Sequence, residues 1–132
     1  MKRDMELIRK ILFYVEENYK AGQKWIRSIS IEGYDDDVVT EHVLLAYESG
    51  LLQDIKDVST LGGTFYFVGN LSNSGYDFLD KIRSDTIWNK TKTTIKEKGL
   101  PMLTGTVSTI ANAFITAAAE GVANSIIKNG GI

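Results

Sequence analysis

The residues best suited to chemistry in this 132-residue chain are a histidine, a run of aspartates and a group of lysines around a tryptophan. His42 is the only histidine, and the chain has no cysteine. A catalytic histidine needs a nucleophile or an orienting carboxylate in a motif with it, and no such motif surrounds His42. We therefore expect a helical residue near the edge of the core, and no enzymatic activity.

Asp35, Asp36 and Asp37 form a run of carboxylates of the kind that can hold a divalent cation. A calcium loop has ligands at alternating positions and ends in a glutamate, and this run has neither feature. A thiolate zinc site is excluded because cysteine is absent. Carboxylates at the start of a helix stabilise its first turn by capping it and by opposing the helix dipole. We assign the aspartates to that role and expect no metal and no cofactor.

The third group is a basic stretch at residues 81–98, in which six lysines and arginines outnumber Asp85 and Glu97. An aromatic ring with basic neighbours is compatible with a phosphate or base contact, and Trp88 occupies such a position. The competing interpretation, which the sequence favours, is a solvated helix face with Trp88 in the core. The residues that would contact nucleic acid are Lys81, Arg83, Trp88, Lys90, Lys92 and Lys96.

Periodicity and capping residues predict the elements that position these groups. Asp4 can cap a first helix that runs to about Tyr19 with an apolar stripe at spacings of three and four. A short strand is expected at Ser28–Ile31, where apolar and polar residues alternate. A second helix, at about Asp36–Ser49, begins at the aspartates and ends before Gly50.

The remainder of the chain predicts a hairpin followed by helices. Leu51–Val58 and Phe65–Leu71 are rich in strand-forming residues and flank Gly62 and Gly63, whose positive φ angles would suit a hairpin turn. Helices follow at about residues 73–83, 86–98 and 102–128. Gly99-Leu100-Pro101 separates the last two, because glycine ends one helix and proline prevents its continuation.

This order of elements predicts an α+β chain with a winged-helix domain at residues 1–98 and a helical appendage at residues 99–132. A helix that ends in Gly-Leu-Leu and leads into a two-stranded hairpin is the centre of the winged-helix motif, with the hairpin as the wing. The short first strand would pair with the hairpin as a third strand. Residues 20–34 leave room only for a turn where the usual middle helix lies.

A family resemblance rests on four segments: Met1–Leu12, His42–Leu45 with Ser49–Leu52, Gly75–Arg83, and Ile87–Lys92. These segments resemble a bacterial and phage-associated family known as domain of unknown function 2513. The likeness covers residues 1–92 and weakens beyond Gly99. It implies a winged-helix fold and often a prophage context, and it supplies no activity or catalytic residues.

The second predicted helix would enter the major groove if this domain bound DNA as winged helices do. With its apolar row in the core, its outward residues are Asp37, Thr40, Glu41, Leu44, Tyr47 and Glu48. That face has three carboxylates and no base, and the wing at residues 58–64 has no base either, so neither can neutralise phosphates. We expect a protein-docking face with an apolar centre and an acidic rim; the alternative is that another helix covers Leu44 and Tyr47.

Residues 102–128 carry two charges, Glu120 and Lys128, and predict an amphipathic helix roughly 40 Å long. A polar row recurs at every fourth residue, and an apolar row lies about 200° from it. Regularly spaced polar groups along the helix are evidence against a membrane span. We expect the helix to form a homodimer; the alternative is that it packs on the chain's own domain. The predicted interface residues are Leu103, Val107, Ile110, Phe114, Ala118, Val122 and Ile126.

These features favour a non-catalytic interaction or regulatory protein of phage or prophage type. We expect it in the cytoplasm, because charged residues interrupt the start of the chain where a signal sequence would be apolar. Its expected partners are a second copy and an unidentified protein. The alternative is a winged-helix transcriptional regulator that contacts phosphates through the basic stretch at residues 81–98.

Overall fold

The computed structural model describes residues 1–129, which contain five α-helices and a two-stranded antiparallel sheet. In chain order the elements are α1 (Met5–Asn18), α2 (Asp36–Glu48), β1 (Ile55–Asp57), β2 (Tyr66–Val68), α3 (Asn73–Ile82), α4 (Asp85–Glu97) and α5 (Thr104–Asn129). The predicted α+β class and long C-terminal helix are confirmed.

The chain divides into two compact units, one spanning Met1–Leu79 and one beginning at Asp80. The sequence predicts a division at residues 98 and 99 instead. The difference arises because α4 packs against α5, so the two helices share a unit although Gly99 and Pro101 separate them in the chain.

The start of α1 follows directly from the sequence. The Asp4 carboxylate accepts hydrogen bonds from the backbone N–H groups of Glu6 and Leu7 at 2.9 and 3.2 Å. A cap of this kind stabilises a helix by about 1 kcal/mol. The apolar stripe that the periodicity predicts is buried; it comprises Leu7, Ile8, Ile11, Leu12 and Val15.

The sheet is an antiparallel pair in which Ile55 lies opposite Val68 and Asp57 opposite Tyr66. The predicted strand at Ser28–Ile31 is wrong. Contact with β2 is made instead by Ile26, which exchanges two backbone hydrogen bonds with Val68 at 2.7 and 2.9 Å. Ile26 is buried, whereas Ile29 and Ile31 are only half-buried. Burial in the core therefore decides which residue pairs with β2, and the alternating pattern at residues 28–31 does not.

The hairpin between β1 and β2 closes through Thr60 and Gly63, whose backbones exchange two hydrogen bonds. Of the two glycines expected to adopt positive φ in this turn, Gly63 does and Gly62 does not. The Asp57 carboxylate accepts a hydrogen bond from the Ser59 N–H at 2.8 Å, and hydrogen bonds from Ser59 lower the pKa of Asp57. Local hydrogen bonds thus order the turn.

Two glycines allow the end of α2 to lie close to the start of α3. Gly50 follows α2 with φ of 79°, as expected of the residue that ends a helix. Gly75 lies so close to Leu51 that a Cβ added there would overlap the Leu51 carbonyl oxygen. Ser72 contacts both segments: its Oγ donates to the Gly50 carbonyl and accepts from the Gly75 N–H.

In the second unit, Ser84 caps α4 by accepting from the Ile87 N–H, and Gly99, with φ of 64°, ends the helix. Buried residues on α4 and on the first half of α5 form the contact between the two helices. They are Trp88, Thr91 and Ile95 on α4, and Val107 and Ala111 on α5.

Candidate interaction surfaces

His42 is fully buried and both of its ring nitrogens have backbone partners. Its Nε2 accepts from the Asp4 N–H at 2.9 Å, and its Nδ1 lies 2.8 Å from the Val38 carbonyl, to which it donates. This arrangement fixes a neutral imidazole with its proton on Nδ1. The ring therefore joins α2 to the cap of α1, deeper in the core than the edge position expected from the sequence.

The outward face of α2 presents its acids to solvent. Asp37, Glu41 and Glu48 are exposed, Tyr47 is 39% exposed at the apolar centre, and Thr40 and Leu44 are half-buried. We call the six residues Asp37, Thr40, Glu41, Leu44, Tyr47 and Glu48 the acidic face. Within unit one, no covering helix removes its carboxylates or Tyr47 from solvent.

The aspartate run before α2 acts differently from the predicted cap. Asp35 occupies the N-cap position, yet its side chain accepts no hydrogen bond from the helix. Asp36 and Asp37 lie in the first turn, where their charges oppose the positive end of the helix dipole. Across residues 1–129, no group of three or more acidic or histidine side chains is arranged to hold a metal ion.

The tip of the hairpin is apolar, which the sequence reasoning missed. The side chain of Leu61 is fully exposed, and that of Phe65 is half-exposed. For Leu61 the available signal was its position in the short loop between two strand-like segments, since a side chain at a tight hairpin tip has no sheet to cover it. Phe65 begins the second of those segments, so no such signal was available for it. Residues 58–64 contain no lysine or arginine, and neither does the acidic face, so neither surface has a cationic side chain to bind phosphate.

The lysines and arginine of the basic stretch are partly engaged within their own unit. Lys81 Nζ donates to Ser108 Oγ at 2.9 Å, and Arg83 donates to the Asp80 carboxylate at 2.9 Å. The Lys90 ammonium lies 6.0 Å from the centre of the Phe114 ring. Lys96 is exposed on the last turn of α4.

Trp88 does not belong to a nucleic-acid surface. Its side chain is 1% exposed, so its ring cannot stack on a base, and the nucleic-acid contact predicted for it is wrong. Trp88 lies in the core of the second unit, and the Lys92 ammonium lies 5.3 Å from its ring centre. This burial agrees with the competing interpretation given by the sequence, in which Trp88 belongs to the core.

The predicted interface on α5 divides into two parts. Val107 is fully buried, and Ile110 and Phe114 are half-buried, so the first half of the helix is engaged within its own unit. Val107 is therefore unavailable to a second copy. The remaining predicted residues are exposed: Leu103, Ala118, Val122 and Ile126.

The second half of α5, residues 116–128, is exposed throughout, and we call it the exposed α5 segment. Val122 is 60% exposed, and Ile126 and Ile127 are each 64% exposed. By length and composition alone, Thr104–Lys128 is also sufficient to cross a membrane. Glu120 lies in the middle of this stretch, and a carboxylate there is costly in lipid.

A groove in the first unit also escaped the sequence reasoning. It lies beside the turn at residues 20–23 and is lined by Trp25, Lys24 and Arg27 together with residues at the end of α1. The signal was present as a tryptophan among basic residues, the pattern that drew attention to Trp88.

Comparisons with known proteins identify the family without an activity. A curated relative from Haemophilus influenzae, described as an uncharacterized protein, is 35% identical over 116 residues, which are 88% of this chain and 97% of the relative. No solved structure is similar enough to match. The family described as "Hypothetical protein (DUF2513)" matches residues 2–101 and so ends at the proline before α5. The chain belongs to this family, DUF2513.

Proposed function

We propose that this chain is a non-catalytic interaction protein of winged-helix type that acts in the cytoplasm, as a homodimer, in a phage or regulatory setting. The order α1, α2, hairpin, α3 supports the winged-helix assignment. In this assignment the bridge at Ile26 stands for the first strand, and residues 19–34 replace the middle helix with a turn. The acidic face and the exposed α5 segment are the two contact surfaces.

The observation that carries the proposal is the exposure of Asp37, Glu41 and Glu48 on the helix that would read DNA. Helix α2 contains no lysine or arginine, so no cation on it can displace counterions from a duplex. A phosphate beside three carboxylates is repelled. Tyr47 at the centre of the acidic face instead suits a protein, because aromatic side chains are enriched in the centres of protein interfaces.

The homodimer rests on the exposed α5 segment, which is about 20 Å long. Its isoleucines and valine would each gain roughly 1.5–3 kcal/mol on complete burial. Alanines at positions 117–119 and 123 allow two such helices to approach closely. A second copy supplies a matching segment of the same length and character, which makes an isologous pair the simplest partner.

Light scattering on the full chain tests the dimer. We expect a mass of twice 14.7 kDa, and we expect Ile126→Asp to lower it towards that of one chain. Asn124→Asp is the matched control, since it adds the same charge about 200° around the helix and should leave the dimer intact. A monomeric wild-type chain contradicts the proposal, and so does an equal loss in both variants. Sedimentation with lipid vesicles but not without them would assign the segment to a membrane instead.

Binding of a labelled DNA duplex across salt concentration separates the proposal from its alternative. We expect no salt-dependent binding of the duplex through α2. Glu41→Gln and Glu48→Gln should therefore leave the duplex binding of the chain unchanged. Tight duplex binding at low salt that falls steeply with added salt contradicts the proposal.

The alternative is a DNA-binding regulator that contacts phosphates through the basic stretch. The exposure of Lys90 and Lys96 on α4 favours it. In that case Lys90→Glu combined with Lys92→Glu would abolish the duplex binding and its salt dependence. Tyr47→Asp would have no effect on it.

A further inference from the structure

The groove in the first unit, with a volume of about 640 Å³, has the composition of a ligand site. Its side chains include two aromatic rings, two amides and two cations, and none of its lining residues is acidic. They are Tyr14, Asn18, Gln23, Lys24, Trp25 and Arg27. The groove lies where a turn at residues 20–23 replaces the middle helix expected of a winged helix.

The backbone of the groove is well anchored. Ile26 exchanges two hydrogen bonds with Val68, and its side chain is buried. In an extended segment, alternate side chains point to opposite faces, so Trp25 and Arg27 share the face away from the core. On the opposite wall, the Tyr14 hydroxyl donates to the Ser28 carbonyl at 3.3 Å and joins α1 to this segment.

Each of the two cations of the groove lies near an aromatic ring, Lys24 near Trp25 and Arg27 near Phe67. A Cβ added to Gly69 would lie 3.7 Å from Trp25 Cζ3, so one edge of the indole rests on that glycine. The Lys24 ammonium lies 5.7 Å from the Trp25 ring centre. The Arg27 guanidinium carbon lies 5.5 Å from the ring centre of Phe67.

We propose that this groove binds a nucleoside phosphate, either as a free nucleotide or within a single strand. The base stacks on Trp25, which remains partly exposed, and the phosphate lies against Lys24 and Arg27. The amide of Gln23 offers both a donor and an acceptor to a base edge. Glu17 lines a neighbouring groove with Tyr14, which restricts the anionic part of the ligand to the Lys24 side.

An acidic peptide is a weaker fit for the same groove. It would use the two cations, yet it has no flat group to stack on Trp25. Amides beside an aromatic ring match a nucleobase, which has both a π-face and an edge of donors and acceptors. This inference is independent of the homodimer and of the acidic face.

The test is fluorescence anisotropy of the full chain with a labelled oligothymidylate at low salt, and competition by AMP, inorganic phosphate and polyglutamate. We expect Trp25→Ala to weaken binding about 10-fold, as for the loss of one base stack. Trp25→Phe keeps a ring against Gly69 and should lose less. Lys24→Glu with Arg27→Glu should weaken binding at least about 10-fold and flatten its dependence on salt.

The matched control is Lys2→Glu, which reverses an exposed lysine that does not line the groove and should leave binding unchanged. Competition by AMP identifies a free nucleotide as ligand, whereas binding of the oligonucleotide alone identifies a single strand; each supports the site. The proposal is overturned if neither probe binds, if phosphate or polyglutamate displaces the labelled oligonucleotide as well as unlabelled oligonucleotide does, or if Lys2→Glu weakens binding as much as the double variant.

Discussion

The imidazole of His42, in the middle of α2, accepts a hydrogen bond from the backbone N–H of Asp4 at 2.9 Å. Asp4 is also the N-cap of α1. Its backbone N–H therefore bonds to α2 while its carboxylate caps α1. The only histidine of the chain is thus a structural link between the two helices. Its second ring nitrogen, Nδ1, donates to the Val38 carbonyl within α2.

His42→Ala should therefore destabilise the first unit severely. It leaves the Asp4 N–H without its acceptor and creates a cavity, with a combined cost of about 2–4 kcal/mol. Urea unfolding measures this loss. His42→Gln retains a polar acceptor and should lose less than the alanine variant; equal stability of wild type and His42→Ala would show that the link contributes nothing.

Gly75→Ala should also destabilise the chain, because the added methyl group overlaps the Leu51 carbonyl oxygen. We expect a loss of about 2–4 kcal/mol, since a backbone atom must move to relieve the overlap. Gly105→Ala is the control: a Cβ there meets nothing within 4 Å in the helix α5. It should be neutral or stabilising by up to about 1 kcal/mol. Comparable melting temperatures for the two variants would contradict the close approach.

Thr91→Val should stabilise the second unit. The Thr91 hydroxyl is buried on α4 and has no hydrogen-bond partner among residues 1–129. An unpaired buried hydroxyl carries a desolvation cost. Valine has nearly the same shape, so we expect a gain of about 1 kcal/mol in thermal or urea unfolding. Thr93→Val, at an exposed position of the same helix, should change stability by less than about 0.5 kcal/mol. A loss of stability on Thr91→Val would indicate a partner for the hydroxyl.

Tyr34 should make stability fall at alkaline pH. Burial, and then the charge and hydrogen bond of Asp4, raise the pKa of Tyr34 above its ordinary value. A raised pKa means that the folded chain holds the phenol proton more tightly than the unfolded chain. The associated stability is complete below the ordinary phenol pKa and is lost as pH rises through the raised one.

Comparison with Tyr34→Phe isolates this effect. At neutral pH wild type should be the more stable, because the folded chain favours the protonated phenol beside Asp4. Denaturant unfolding measured towards strongly alkaline pH should show this advantage shrinking. An advantage that grows with pH would reverse the sign of the argument.

The helices of this chain were predictable because their signals are local. Asp4, Gly50 and Gly99 each end or begin a helix at the place that their side chain or conformational freedom indicates. The sites of contact with the sheet were not predictable in the same way. Ser28–Ile31 has the alternation of a strand, but the pairing residue is Ile26, and only the core decides between them.

Which candidate contact residues are buried could not be predicted from the local sequence, because burial depends on how the helices and strands pack together. Trp88 and Trp25 both lie among lysines in the sequence, yet Trp88 is in the core and Trp25 lines a groove. The apolar row of α5 is continuous in the sequence, but α4 covers only its first half. For α2, where one face is apolar and the other acidic, the periodicity alone predicted the exposed carboxylates.

A photoreactive amino acid in place of Tyr47 tests most directly whether α2 contacts protein. Irradiation of cells that carry this variant should give a covalent adduct with a protein, and Tyr47 is exposed enough to accept the substitution. The same amino acid in place of Lys98, which is exposed in the other unit, controls for random encounter and should not give that adduct. Attachment of position 47 to DNA would contradict the account. So would a set of protein adducts that is the same for positions 47 and 98.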